Sequence, residues 1–192
     1  MRRSLLAVAG GLVFLATTGG SPLRAADNYQ LDPAHTAVTF KVAHLGLSWT
    51  HGRFNDVSGR FVIDSADPTQ SSFELSFKAE SIDTGNGKRD EHLKGPDFFN
   101  TKQFPAASFK STSVKAVQEG LEVAGEFTLH GRTQPITFTL AGGKSAEFPP
   151  GVKRTGYSAQ FRLKRSDYGM DKMAGAVGDE VYVSISFEGV KS

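Results

Sequence analysis

Five histidines and a scatter of carboxylates are the residues in this chain that could do chemistry, and their types suggest either a divalent metal or an acid–base pair. Their spacing supports neither. His35 and His44 have opposite strand parity, so a continuous strand turns them to opposite faces, and His51 belongs to no His-x-x-x-His or glutamate-bearing zinc pattern. Asp90 and His92 stand two apart, a spacing at which helical side chains diverge. Asp90 is better suited to accept hydrogen bonds near a helix start. The run Asp83-Thr84-Gly85-Asn86-Gly87 lacks the further acidic ligands and the closing glutamate of a calcium loop, and reads instead as a turn and a helix cap. There is no Gly-x-Ser-x-Gly elbow, phosphate loop or dinucleotide fingerprint. The sequence thus predicts no catalytic group, no metal and no cofactor. An enzyme acting through His92 or Asp167 is the alternative.

The rest of the chain is organised by alternation. Val38, Phe40 and Val42 alternate with polar neighbours, as do Phe61 and Ile63, and Phe73, Leu75 and Phe77. The pattern resumes with Leu121, Val123, Phe127 and Leu129, then Ile136, Phe138 and Leu140. It continues through Tyr157, Phe161 and Leu163 and ends with Val181, Val183, Ile185 and Phe187. Period two marks strands with one wet and one dry face. Ala107–Val117 alternates more weakly and reads as a strand that is two-sided or at the rim, and Gly142–Gly156, with Pro149-Pro150, reads as a long loop. Short connections imply antiparallel neighbours, and eight to ten strands are expected. Such a dry face is buried either in a sandwich or by closure into a barrel. Large residues at nearly every dry position, many of them from the chain's 15 phenylalanines, favour a barrel wall around a ligand. An immunoglobulin-type sandwich lacks its paired cysteines and has only Trp49 to offer.

One stretch breaks the alternation. Asn86 suits an N-cap, Lys88–Lys94 contains no β-branched residue, and Gly95-Pro96 stops a helix, so a helix is predicted over Gly87–Lys94. Phe98, Phe99 and Phe104 would anchor this segment on something apolar, as a lid. At the other extreme of the chain, residues 1–26 read as an export signal. Arg2 and Arg3 precede an apolar run, Leu5–Ala16, that is too short to span a membrane, and cleavage is expected after Ala25 or Ala26. The 192-residue chain less these 26 leaves 166, enough for one domain, residues 27–192. Arg2, Arg3 and Arg24 leave with the signal, so 22 Lys+Arg become 19 against 20 Asp+Glu, and the balance moves from +2 to −1. The remaining cations form no stripe, which excludes a nucleic-acid partner.

Several motifs in order carry a resemblance. They are Tyr29-Gln30-Leu31-Asp32-Pro33-Ala34-His35-Thr36, Phe40-Lys41-Val42-Ala43-His44, Gly52-Arg53-Phe54, Ser81-Ile82-Asp83-Thr84-Gly85, and Arg89-Asp90-Glu91-His92-Leu93. Asp97-Phe98-Phe99, Phe104-Pro105, Leu129-His130-Gly131-Arg132-Thr133 and Arg165-Ser166-Asp167-Tyr168-Gly169-Met170 complete the series. Spread over nearly all of residues 27–192, they make the chain resemble the YceI-like family, polyisoprenoid-binding proteins of the bacterial periplasm. The resemblance implies an antiparallel, eight-stranded, lipocalin-like β-barrel, often a homodimer, with an isoprenoid chain such as that of a quinone threaded through its interior. Joined to the alternation, it makes Val38, Phe40, Val42, Phe61, Ile63, Phe73, Leu75, Phe77, Val123, Phe127, Phe138, Phe161, Val183 and Ile185 the expected lining, closed by Phe98 and Phe99. The competing reading is a solid core and an outer face that binds a protein partner.

Overall fold

The computed structural model describes residues 26–192, so the expected export signal lies, Ala26 apart, outside the described residues. The strands are β1 (Asp27–Leu31), β2 (Ala37–His44), β3 (Ser48–Phe54), β4 (Val57–Ile63), β5 (Ser72–Lys78) and β6 (Ile82–Asp83). Helix α1 (Gly87–Lys94) separates them from β7 (Ala106–Val117), β8 (Gly120–Leu129), β9 (Arg132–Glu147), β10 (Lys153–Lys164) and β11 (Val177–Lys191). All neighbours are antiparallel in the order β1-β4-β5-β7-β8-β9-β10-β11, and β1 pairs back onto β11 through Leu31↔Gly189 and Tyr29↔Lys191. The sheet is therefore closed. Closure gives every stave a paired neighbour on each side over part of its length and leaves one face for the interior.

Eleven segments make eight staves, because three staves are broken once each. β1 and β2 both pair with β11, at residues 189–191 and 177–186, and are one stave interrupted at Asp32–Thr36. β3 runs on into β4 across Asn55-Asp56, and β5 into β6 across a single 3₁₀ turn, Ala79–Ser81. At the first break Pro33 removes a backbone donor, and the Asp32 carboxylate accepts from the Ala34 amide at 3.0 Å, turning the chain through one 3₁₀ turn.

Register shifts aim the side chains. Phe109 and Val114 differ by an odd number of residues, yet both are buried. Between Ser111↔Gly125 and Ser113↔Ala124 the strand holds one extra residue, Thr112, and this bulge restores the inward parity. β7 is consequently an internal stave between β5 and β8, so of the two readings its weak alternation allows, the rim does not apply. The expected loop at Gly142–Gly156 is mostly strand: β9 continues to Glu147 and β10 begins at Lys153, paired from Glu147↔Lys153 to Lys144↔Gly156. Only the tip, residues 148–152, turns.

One ion pair locks the broken first stave to the far side of the seam. Arg154 of β10 donates through Nη1 to Asp32 Oδ2 at 2.5 Å and through Nε to the Phe148 carbonyl at 2.9 Å, and His35 Nδ1 lies 2.8 Å from the same carboxylate. These contacts, the arginine first, hold Asp32 down from an ordinary 3.8 to about 2. A carboxylate depressed on folding stabilises above its unfolded value and loses that contribution as pH falls through its folded one. The stability difference between wild type and Asp32→Asn, measured by denaturant unfolding, is expected to be full at neutral pH and to shrink between about pH 4 and pH 2. A difference that stays constant across that window contradicts the assignment.

Candidate functional site

The two ends of the barrel are built differently. At the end where β1, β4 and the last residues of β11 meet, rings fill the interior. Phe61 stacks on Tyr29 at 5.0 Å and on Phe73 at 5.6 Å, and meets Phe187 at 5.4 Å and Tyr157 at 6.0 Å. Phe61, Phe73, Phe187, Leu140 and Val123 are wholly buried. This packing needs Gly189, where a Cβ would stand 2.4 Å from the Phe61 ring.

Toward the other end the wall continues but the filling stops. A cavity of about 280 Å³ opens between Val38, Phe40 and Val42 of β2, Leu75 and Phe77 of β5, and Phe127 and Leu129 of β8. Ile136 and Phe138 of β9, Phe161 and Leu163 of β10, and Val181, Val183 and Ile185 of β11 close the circle. The rings brace one another round the wall: Phe138 stacks on Phe161 at 5.0 Å and Phe54 on Phe77 at 4.1 Å. Such contacts hold rings in place and leave the hollow between them open.

Helix α1 and the turn after it cover one side. Asn86 caps the helix by accepting from the Arg89 amide at 3.0 Å, as expected. Its end differs from expectation: Gly95 is extended (φ −71°), so Pro96, without an amide hydrogen, stops the helix unaided by a left-handed glycine. The segment then folds back, with the Phe99 amide on the Leu93 carbonyl and the Thr101 amide on that of Lys94. Leu93, Phe98 and Phe99 thereby face the cavity, and Phe99 sets its edge on Phe54 at 5.6 Å.

Three charged groups near the cavity, Asp90, Arg89 and Arg165, are committed to holding the chain. Asp90 accepts from the amide and hydroxyl of Thr84 at 2.9 and 2.5 Å, and Arg89 donates to the hydroxyl and carbonyl of the same threonine, pinning the lid helix to the strand before it. Arg165, buried in the 3₁₀ turn Arg165–Tyr168, donates to four carbonyls, those of Met170, Lys172, Val177 and Gly178. It fastens the loop between β10 and β11. Burial pushes the Tyr168 phenol up to about 12, so it stays protonated at neutral pH. His92 sets its ring against Phe98 at 5.0 Å, and His130 joins the Tyr168 carbonyl through Nδ1 at 3.0 Å while packing on Phe104. His35 is occupied with Asp32, His44 stands at the cavity rim, and His51 faces the outer groove over β2 and β11.

Of the residues expected to line a tunnel, Val38, Phe40, Val42, Leu75, Phe77, Phe98, Phe99, Phe127, Phe138, Phe161, Val183 and Ile185 meet around this hollow. Phe61, Phe73 and Val123 belong to the packed end, and Ile63 lies against that core. Alternation identifies the inner face of a strand but not the height of a residue along the barrel axis. That height depends on register between strands. Leu129, Ile136, Leu163 and Val181 carry the same parity as their named neighbours Phe127, Phe138, Phe161 and Val183, one step nearer the mouth. Met170 and Met173 come from the β10–β11 loop and Val177 from the first position of β11, where no periodicity points to them.

An all-antiparallel barrel of eight staves, solid at one end and hollow beneath a short helix at the other, defines a lipocalin-like β-barrel. The chain belongs to the YceI-like domain family, whose model matches residues 29–189. It is 35% identical to Protein YceI of Escherichia coli O17:K52:H18 over 193 residues, covering 100% of this chain and 99% of that one. BcnA of Burkholderia cenocepacia shares the fold with a TM-score of 0.75 at 21% identity, over 82% of this chain and 98% of that one. A polyisoprenoid binding domain from Saccharophagus degradans implicated in plant cell wall breakdown does so with a TM-score of 0.63 at 18% identity, over 85% and 98%.

The contrast between the ends can be measured. Phe73→Ala removes a ring packed on every side and is expected to destabilise by about 3–5 kcal/mol. Phe161→Ala removes one that already faces a void and is expected to cost about 1–2 kcal/mol, because contacts on that side are missing at the outset. Equal losses in denaturant unfolding would show that the hollow is filled.

Proposed function

We propose that this protein binds one long, uncharged, apolar molecule of isoprenoid type, a polyprenyl compound or the tail of a quinone, in the barrel cavity. It then stores or carries that molecule through the aqueous periplasm, without chemical change. The observation that carries this reading is the lining, an apolar wall that the fold holds open where a solid core would be more stable. Membership of the YceI-like family and the likeness in fold to a polyisoprenoid binding domain support the ligand class.

Magnitudes favour a long chain. Each methylene moved from water into such a cavity gains ~0.8 kcal/mol, so ten carbons gain about 8 kcal/mol. That lies within the ~4–15 kcal/mol lost when two molecules become one, so a short tail would bind weakly or not at all. At about 280 Å³ the cavity is at the lower edge of pockets that hold drug-sized molecules, ~300–1,000 Å³, so a longer chain extends through the mouth or displaces the lid. Arg165, Arg89 and Asp90 already serve backbone and Thr84, which leaves the deep wall without a free charge for a fatty-acid carboxylate.

Organic extraction of the purified protein is expected to release a prenyl lipid at about one per chain, on the one-cavity geometry. Val183→Trp, which fills the hollow from its wall, should retain the fold and lose the lipid. An unaltered lipid content in Val183→Trp, or extracts free of long-chain apolar molecules even after incubation with quinones and polyprenols, would overturn the reading.

A further inference from the structure

Among the described residues, Leu45, Leu47, Trp49, Phe148, Met173 and Tyr182 are the large apolar side chains left exposed. Phe148 stands at the tip of the β9–β10 arm, beside the packed end. The other five gather at the mouth. Leu45 and Leu47 occupy the tight turn between β2 and β3, where the Leu47 amide donates to the His44 carbonyl at 2.9 Å, and they are 55% and 83% exposed. The Leu45 amide donates across to the Ala176 carbonyl at 2.7 Å, tying this turn to the loop that carries Met173. Met173, 51% exposed, also lines the cavity, as do His44 and Val177, so the patch is continuous with the hollow.

Backbone conformation sets two of these residues apart. Leu45 has φ +55° and is followed by Gly46 at +69°, the pattern of a type I′ turn, whose first central position suits asparagine, aspartate or glycine. Met173 has φ +56°. A left-handed conformation is strained for both side chains, and exposure to water penalises them again. Two large apolar residues held in strain and in water at the same opening serve something other than the fold.

Resting on the lipid-carrier reading above, we propose that this tip docks into the interfacial zone of a phospholipid bilayer and is where the ligand enters and leaves. Depth and charge both fit. Trp49 pairs with Ala43, two residues behind the turn, which at ~3.3 Å per residue puts its ring roughly 7 Å back, within the ~5–10 Å to which interfacial elements sink. Tyr182 meets Trp49 edge to face at 5.3 Å, and Lys41 holds its ammonium 4.8 Å from the Trp49 ring and 5.5 Å from that of Tyr182. Aliphatic tip, aromatic belt, then cation is the order in which a bilayer changes from acyl chain to headgroup to phosphate. The turn His44–Ser48 contains no carboxylate, and Glu180, beside the belt, is engaged by the Tyr182 hydroxyl at 3.2 Å and balanced by Arg162 at 3.6 Å. A prenyl chain crossing by this route leaves one apolar phase and enters another beside the patch.

Trp49 is the only tryptophan of the 192 residues and reports directly. The full protein is mixed with vesicles of phosphatidylethanolamine and a minority of phosphatidylglycerol, free of prenyl lipid, with or without brominated acyl chains. Emission from Trp49 is expected to move to shorter wavelength and to be quenched by bromine, and the protein to float with the vesicles. In the triple variant Leu45→Asn, Leu47→Ser, Met173→Asn, partition is expected to fall about tenfold or more, since three apolar side chains leave the contact. Its melting temperature should hold or rise, because asparagine accepts the left-handed conformation. Emission indifferent to vesicles, or a variant that floats as well as wild type, overturns the proposal; a patch that serves a protein partner would give the first result. Loading from detergent, read by mass spectrometry, separates the two readings. Lipid uptake without a vesicle response removes the docking surface and leaves the carrier, whereas a vesicle response without uptake supports docking and removes the carrier.

Discussion

The closure of the sheet is the constraint on which everything else rests. Once β1 pairs back onto β11, every stave has two hydrogen-bonded neighbours, and the radius of the barrel is set by backbone geometry and not by the side chains inside it. A helical bundle with too few interior atoms can collapse onto them. A closed ladder can do so only by breaking hydrogen bonds, so its interior must be filled by side chains or by something else. At one end Phe61, Phe73, Tyr157 and Phe187 fill it. At the other, phenylalanines of the same kind stand against the wall and against one another, and the volume between them is left open.

The distribution of polar groups follows from the same constraint. Breaks in three staves, a lid and a long β10–β11 loop all leave backbone groups to satisfy, and the conspicuous charged residues do that work. Asp32 and Arg154 close the first break, Asp90 and Arg89 seat the lid helix on Thr84, and Arg165 gathers four carbonyls, two from the loop and two from the start of β11. Asp32, Arg154, Asp90, Arg89 and Arg165, conspicuous in the sequence, are structural fastening around an apolar hollow. Binding there is governed by area removed from water, which suits a ligand with little to recognise except its length.

How far this was legible from sequence depends on the kind of information each feature needs. The strands were legible because alternation is local: Phe73, Leu75 and Phe77 show their dry face without reference to any partner. Helix α1 was legible to the residue because Asn86 and Pro96 act within a turn of themselves. Features that depend on pairing were not. Phe73 and Phe77 share a face, yet one belongs to the packed end and the other to the cavity, and only register with β4 and β7 separates them. Phe109 and Val114 mislead by parity until the bulge at Thr112 is known. The glycine-rich tract from Gly142 reads as loop because glycine and proline punctuate it, whereas it pairs as an extended arm, with Gly142 and Gly143 at positive φ beside the register shift at Tyr157. Met173 and Leu45, which border the mouth, carry no periodic signal at all.

The most direct test of the central claim, that the barrel is held open around a long apolar guest, is the electron density inside the protein as it is purified from its host. A continuous tube of density, with the short side bumps of a methyl-branched chain, is expected to run from the Phe138–Phe161 ring pair, past Phe77 and Phe127, toward the lid and the mouth, with the surrounding rings in the same positions. A cavity closed by those same rings turned inward, with no density between them, would mean that the interior fills itself, and the carrier account would fall.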